Sequence, residues 1–91
     1  MNVMNTDHFK ATLTQEGFAE PVTVEREADG FMDVHTHPFE AKALILTGKI
    51  HITCGGTERV FRGGDIFHLA ANEPHSERYG PEGVTYLVGR K

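Results

Sequence analysis

A chain of 91 residues has room for one hydrophobic core and not for a second. With 38% hydrophobic and 24% charged residues, and no run of like charge, its composition is that of a folded globular domain rather than a disordered tail. The net charge is −4 and the nine lysines and arginines are scattered, so no phosphate-tracking surface is suggested and nucleic acid is not an expected partner.

The opening residues, MNVMNTDHFK, lack a basic segment followed by an apolar run. No later stretch approaches the roughly 20 apolar residues that a membrane span requires, so a cytoplasmic location and no membrane partner are expected. Residues 7–17, DHFKATLTQEG, are the single helix candidate: Asp7 can cap, Phe9 and Leu13 fall four apart on one face, and Gly17 stops the helix. PVTVER (21–26) alternates as a strand does, ADG (28–30) is a turn, and FMDVHTH (31–37) is extended.

Glycine-bearing turns then divide a series of short strands: 41–47 ending at Gly48, 49–53 ending at Gly55 and Gly56, 57–61, 66–70, 75–79 and 84–90. Ten glycines and four prolines at this spacing argue for a sandwich or barrel. The expected fold is therefore all-β, one domain over 1–91, with an N-terminal helical segment (1–20) and an antiparallel barrel (21–90). Cys54 cannot form an internal disulfide because it is the only cysteine, and its alternation with Ile50 and Ile52 makes it a small buried hydrophobe.

The chemistry lies in the histidines. His35 and His37 stand at i and i+2, so on a strand both imidazoles leave the same face, about 6.6 Å apart at Cα, and can converge on one ion. Alone, this spacing fits a hydrogen-bonded or exposed pair equally well. The downstream segment GDIFHLAANEPHSE, 64–77, changes its meaning.

Together the two segments resemble the cupin superfamily, in the manner of a small metal-binding cupin of the cupin-2 type. Its first motif is carried here by Gly30, His35, His37 and Gly48, and its second by Gly64, Asp65, Pro74 and His75. The resemblance covers about residues 21–88. It implies a jelly roll in which His35, His37 and His75 point inward at the mouth of a pocket and hold a divalent transition metal. Imidazole ligands without a thiolate suit Fe, Mn, Ni, Zn or Cu.

The family's glutamate position, separated from the glycine by six residues, is Ala41 in this chain, and Glu40 comes one residue early. Alternation sends Glu40 to the opposite face unless the HPFE turn bulges, whereas His35, His37, Phe39 and Ala41 share a parity. Three histidines are thus the expected ligands. Glu40 and His68 are candidates for a further ligand or a hydrogen-bond partner of one. The second motif departs from the family at Ala70, Asn72 and Tyr79, and Asn72 can take a left-handed conformation in place of glycine. Phe39, Ala41, Phe67 and Tyr86 are expected in the pocket wall, with Phe31 and Met32 in the barrel core or the same wall. His8 and His51 are expected to face solvent.

Three functions fit. A metal with open positions could serve an enzyme of dioxygenase, isomerase or lyase type, with no catalytic residue assigned. The barrel could instead bind or sense a small molecule without chemistry, with or without a metal. It could also be a metal-free barrel with relic histidines, and fold alone does not choose. A homodimer is expected, since burying enough apolar area at this length often takes a partner subunit, with VTVER and the helix as candidate interface.

Overall fold

A computed structural model describes residues 5–91. The helix α1 spans Thr6–Gln15. Its cap is Asn5, not Asp7: the Asn5 side chain accepts from the His8 amide at 2.8 Å. Asp7 falls in the first turn, where its charge faces the positive end of the helix dipole. Gly17 at φ 85° ends the helix, as expected, with Phe18 N–H reaching back to Leu13 O at 2.9 Å and Gly17 N–H to Thr14 O at 3.1 Å. Phe18 thereby joins Phe9 and Leu13, which pack on Leu44 and Leu87 of the barrel's outer surface.

Six strands follow: β1 (Val22–Arg26), β2 (Phe31–His35), β3 (Ala41–Cys54), β4 (Thr57–Arg62), β5 (Ile66–Leu69) and β6 (His75–Arg90). All pairings are antiparallel. β3 and β6 each run through a segment where glycine-rich sequence suggested a break. They form a continuous ladder whose register shifts at Ile45/Thr47 and Gly48/Ile50, so Gly48 marks a bulge rather than a strand end.

The long pair serves two sheets. The early part of β3 and the late part of β6 lie between β5 and β1, and the late part of β3 and the early part of β6 lie between β4 and β2. The main core fills the space between them, with Ala43, Ile45, Ile50, Ile52, Phe67, Tyr79, Val84, Tyr86 and Val88 on inward parities. The fold is an antiparallel jelly roll with one short N-terminal helix. Among the described residues no ladder joins β1 to β2 or β4 to β5.

Phe31 departs from the core expectation: it is 70% exposed on β2, which pairs only with β6. The cause is the register shift between Met32 and His35. Alternation is broken there, so Met32 and His35, of opposite parity, line one cavity while Phe31 faces out. Cys54 is partly buried against the core, and burial pushes its thiol pKa up. No helix among the described residues is long and apolar enough to cross a membrane.

Candidate metal centre

β2 ends at His35 and β6 begins at His75, and the two residues are register partners. Their rings lie 4.3 Å apart between centroids. His37 sits beyond β2 in the loop leading to β3, not on the strand, and is held near His75 by the Asn72 amide, which donates to His37 O at 2.8 Å. Asn72 makes this contact at φ 62°, the left-handed conformation that asparagine tolerates. The His37 and His75 ring centroids are 5.1 Å apart.

All three imidazoles are oriented in the same way. Nδ1 of His35 bonds Asp33 O at 2.8 Å, Nδ1 of His37 bonds Phe39 O at 3.1 Å, and Nδ1 of His75 bonds Glu73 O at 2.9 Å. A carbonyl oxygen can only accept, so each Nδ1 carries the proton and each Nε2 of a neutral ring presents a lone pair. Such backbone bonds are how a protein fixes the tautomer of a metal-ligating histidine.

A fourth residue completes the closest group. Glu77 Oε2 lies 3.2 Å from His75 Nε2 and 3.5 Å from His35 Nε2. Lone pairs on two nitrogens therefore face a carboxylate with no donor between them. His75 Nε2 is buried without a hydrogen-bond partner, and the His75 side chain is wholly inaccessible. An unsatisfied buried acceptor facing an anion is costly unless a proton or a cation lies between them. Donors around one ion at about 2.0–2.2 Å stand about 3–3.5 Å from one another. His35, His75 and Glu77, with donor atoms all within 4.8 Å of one another, fit a divalent ion.

Glu77 is not among the ligands that the family resemblance implies, because that motif places its glutamate after the paired histidines. The overlooked signal was the spacing His75-Ser76-Glu77, the same i, i+2 alternation that singled out His35 and His37. Tyr79 continues that face and donates its hydroxyl to Glu77 Oε1 at 3.0 Å, leaving Oε2 toward the histidines. Burial, with the Glu77 charge beside it, holds the Tyr79 phenol well above its usual pKa, so it remains a donor.

Glu40 lies elsewhere. Its carboxylate pairs with His68 and stands 3.9 Å from Lys91 Nζ, while its backbone exchanges hydrogen bonds with Lys91 at 2.8 and 3.0 Å. The HPFE turn does not bring it to the histidines. His68 shares the outward face of β5 with Ile66, while Phe67 and Leu69 point in. His8 is in the exposed part of α1, and His51 is a surface neighbour of Glu58 at 3.4 Å.

A cavity of about 200 Å³ opens beside the histidines. Phe39, Ala41, Phe67 and Tyr86 line it, together with His35, His37 and Glu77. The His37 ring stacks on Phe39 with centroids 4.2 Å apart and planes 8° from parallel. Burial raises the Tyr86 phenol pKa, Glu77 adding to the effect, so Tyr86 presents a protonated hydroxyl side chain to the cavity.

The family model of the AraC-like ligand binding domain matches residues 21–88, the whole of the barrel but its last strand end. The chain belongs to this family. Solved cupin structures superpose on this AraC-like domain. Against an RmlC-like cupin from Shewanella frigidimarina the TM-score is 0.66 at 18% identity, covering 78% of this chain and 64% of that one. Against the cupin domain of Schizosaccharomyces pombe Cnp3 it is 0.71 at 22% identity, covering 82% and 56%. Against the DMSP lyase DddQ from Ruegeria pomeroyi it is 0.70 at 25% identity, covering 78% and 36%. The AraC-like domain thus has the cupin fold, and it spans less than two thirds of each of these structures. No curated protein matches the chain significantly.

Proposed function

We propose that this AraC-like domain binds a small organic ligand in the 200 Å³ cavity beside a divalent transition metal held by His35, His75 and Glu77. The observation that carries the reading is the buried, unpartnered Nε2 of His75 aimed at the Glu77 carboxylate. His37, expected as a ligand with His35 and His75, lines the same cavity with its Nδ1 tied back and is the further donor. A nitrogen and oxygen donor set suits Fe, Mn, Ni, Zn or Cu.

The metal, when bound, would supply a Lewis acid to a ligand oxygen. The chain's own residues do the rest. Tyr79 orients Glu77, the Asp33, Phe39 and Glu73 carbonyls orient the imidazoles, and Phe39, Phe67 and Tyr86 shield the cavity from water. An enzyme of dioxygenase, isomerase or lyase type is the second reading, supported by the fold shared with a lyase.

Metal content after native purification tests the site. We expect close to one equivalent in the wild type, a large loss in His75→Ala and in Glu77→Gln, and none in Glu40→Gln. Full occupancy in both His75→Ala and Glu77→Gln would sink the reading. With metal present, turnover or dioxygen uptake over a panel of thiols, diols and keto acids separates enzyme from binder. The same proposal takes the domain to be a homodimer, because β1 and β2 leave Val22, Phe31 and Val34 exposed on sheet edges. Size-exclusion chromatography with light scattering should give twice the chain mass, and a monomer at every concentration would refute this.

A further inference from the structure

Two positive side chains stand at the same cavity, and among the described residues neither is paired with a carboxylate. Arg26 and Arg90 both line it. Each falls on the inward parity of its strand: Arg26 continues Val24, which packs on the core, and Arg90 continues Val84, Tyr86 and Val88, all of the core. Both residues are exposed at the ends of their strands, so core packing does not hold them, and their charges stand at the mouth of the cavity.

The ion pairs among the described residues use Glu16, Glu40, Glu58 and Glu77, and neither Arg26 nor Arg90 enters one. Arg90 is placed by an aromatic contact instead, its guanidinium carbon 5.4 Å from the centre of the Phe39 ring that also stacks on His37. Among the described residues the Arg90 guanidinium donates to no carboxylate, so its N–H donors remain for a ligand. Two arginines against the single carboxylate of Glu77 make this cavity positive, in a chain whose net charge is −4. Bound metal would make it more so. A concave site of one sign attracts the opposite charge, and guanidinium forks match carboxylates in geometry.

We infer that the ligand of this cavity is a small organic anion, a carboxylic acid in its ionised form, held by the guanidinium of Arg26 or Arg90 with its remaining polar groups toward His35, His37 and Tyr86. This deepens the proposed function and rests on its choice of cavity. A neutral polyol would leave both guanidinium groups without a counter-charge. The wall supplies the rest of the recognition, since Phe39, Ala41, Phe67 and Tyr86 limit the ligand to a short carbon skeleton.

The test compares succinate with its neutral diamide by calorimetry on the full chain as purified, with metal content measured in every sample. Wild type should bind succinate at least tenfold more tightly than the diamide. Arg26→Gln and Arg90→Gln together should weaken succinate roughly ten- to a hundredfold while leaving the diamide and the metal unchanged. Arg→Lys at both positions should keep the anion preference, and unchanged circular dichroism excludes misfolding as the cause. Equal binding of succinate and diamide, or succinate binding untouched in the double Gln variant, overturns the inference even if metal is present. Absence of metal in the wild type would defeat the metal centre alone, because the succinate preference is still read on the same protein.

Discussion

At the scale of residues, the site depends on which groups keep their protons. Tyr79 and Tyr86 are the only tyrosines, and the chain has no tryptophan, so phenolate absorbance reports on these two alone. Burial raises the pKa of both. The folded state then holds their protons more tightly than the unfolded state, whose phenols titrate at about 10. The stabilisation is fully present below that pH and is lost as pH rises beyond it. In an alkaline titration, phenolate absorbance should therefore emerge together with loss of the circular dichroism of the strands. Two phenols titrating freely at about 10 in a still folded chain would contradict their burial. Burial of this kind was partly legible in sequence. Tyr86 lies on the alternation of a strand with a clear inward face, and it is in the core. The spacing of Glu77 from His75 is a weak signal by comparison, because a motif that places glutamate after the first two histidines draws attention to Glu40. Only the pairing of Met32 with Glu77 and of His35 with His75 shows that β6 carries two donors to the same point.

At the scale of elements, the fold turns on where β3 and β6 cross. Strand periodicity identifies nearly every extended segment, but it does not show which glycines end a strand, since the usual role of glycine between apolar runs is to end them. At Gly48 its role is different. The residue has φ 75°, and a Cβ there would stand 2.1 Å from the Gly83 carbonyl oxygen, itself on a residue at φ 72°. The two backbones meet too closely for any side chain, and the strands bend from one sheet into the other without losing their ladder. Gly48→Ala should cost about 3–4 kcal/mol by chemical denaturation, from backbone clash added to left-handed strain. Gly55→Ala, with φ 55° and nothing within 4 Å of the added carbon, should cost only about 1 kcal/mol. Equal losses at the two positions would mean that the close approach at the crossing contributes nothing. The loop between β2 and β3 was harder to read, because its form depends on the Asn72 contact from a segment distant in sequence.

At the scale of the whole molecule, the candidate metal centre lies at an edge of the sheet. β2 is held on one side only, by β6, through a ladder that shifts register between Met32 and His35. His35 comes from this edge strand, whereas His75 and Glu77 come from the long strand that pairs through both sheets. An ion coordinated by all three would therefore tie the weakest edge to the most fully paired strand. A ligand that binds only the folded state at about a hundred times its Kd stabilises by about 2.7 kcal/mol. For a chain of this size each kcal/mol is worth roughly 4–8 °C in Tm. Saturating divalent metal should thus raise Tm by roughly 10–20 °C, and the rise should vanish in Glu77→Gln. The gain should also be uneven. Hydrogen exchange should show the amides of β2 protected more by metal than those of β1, which is equally an edge strand but carries none of the three donors. Equal protection of both edges would mean that the metal stabilises the molecule without acting as a clip between β2 and β6, and a Tm insensitive to every divalent ion would remove the clip altogether.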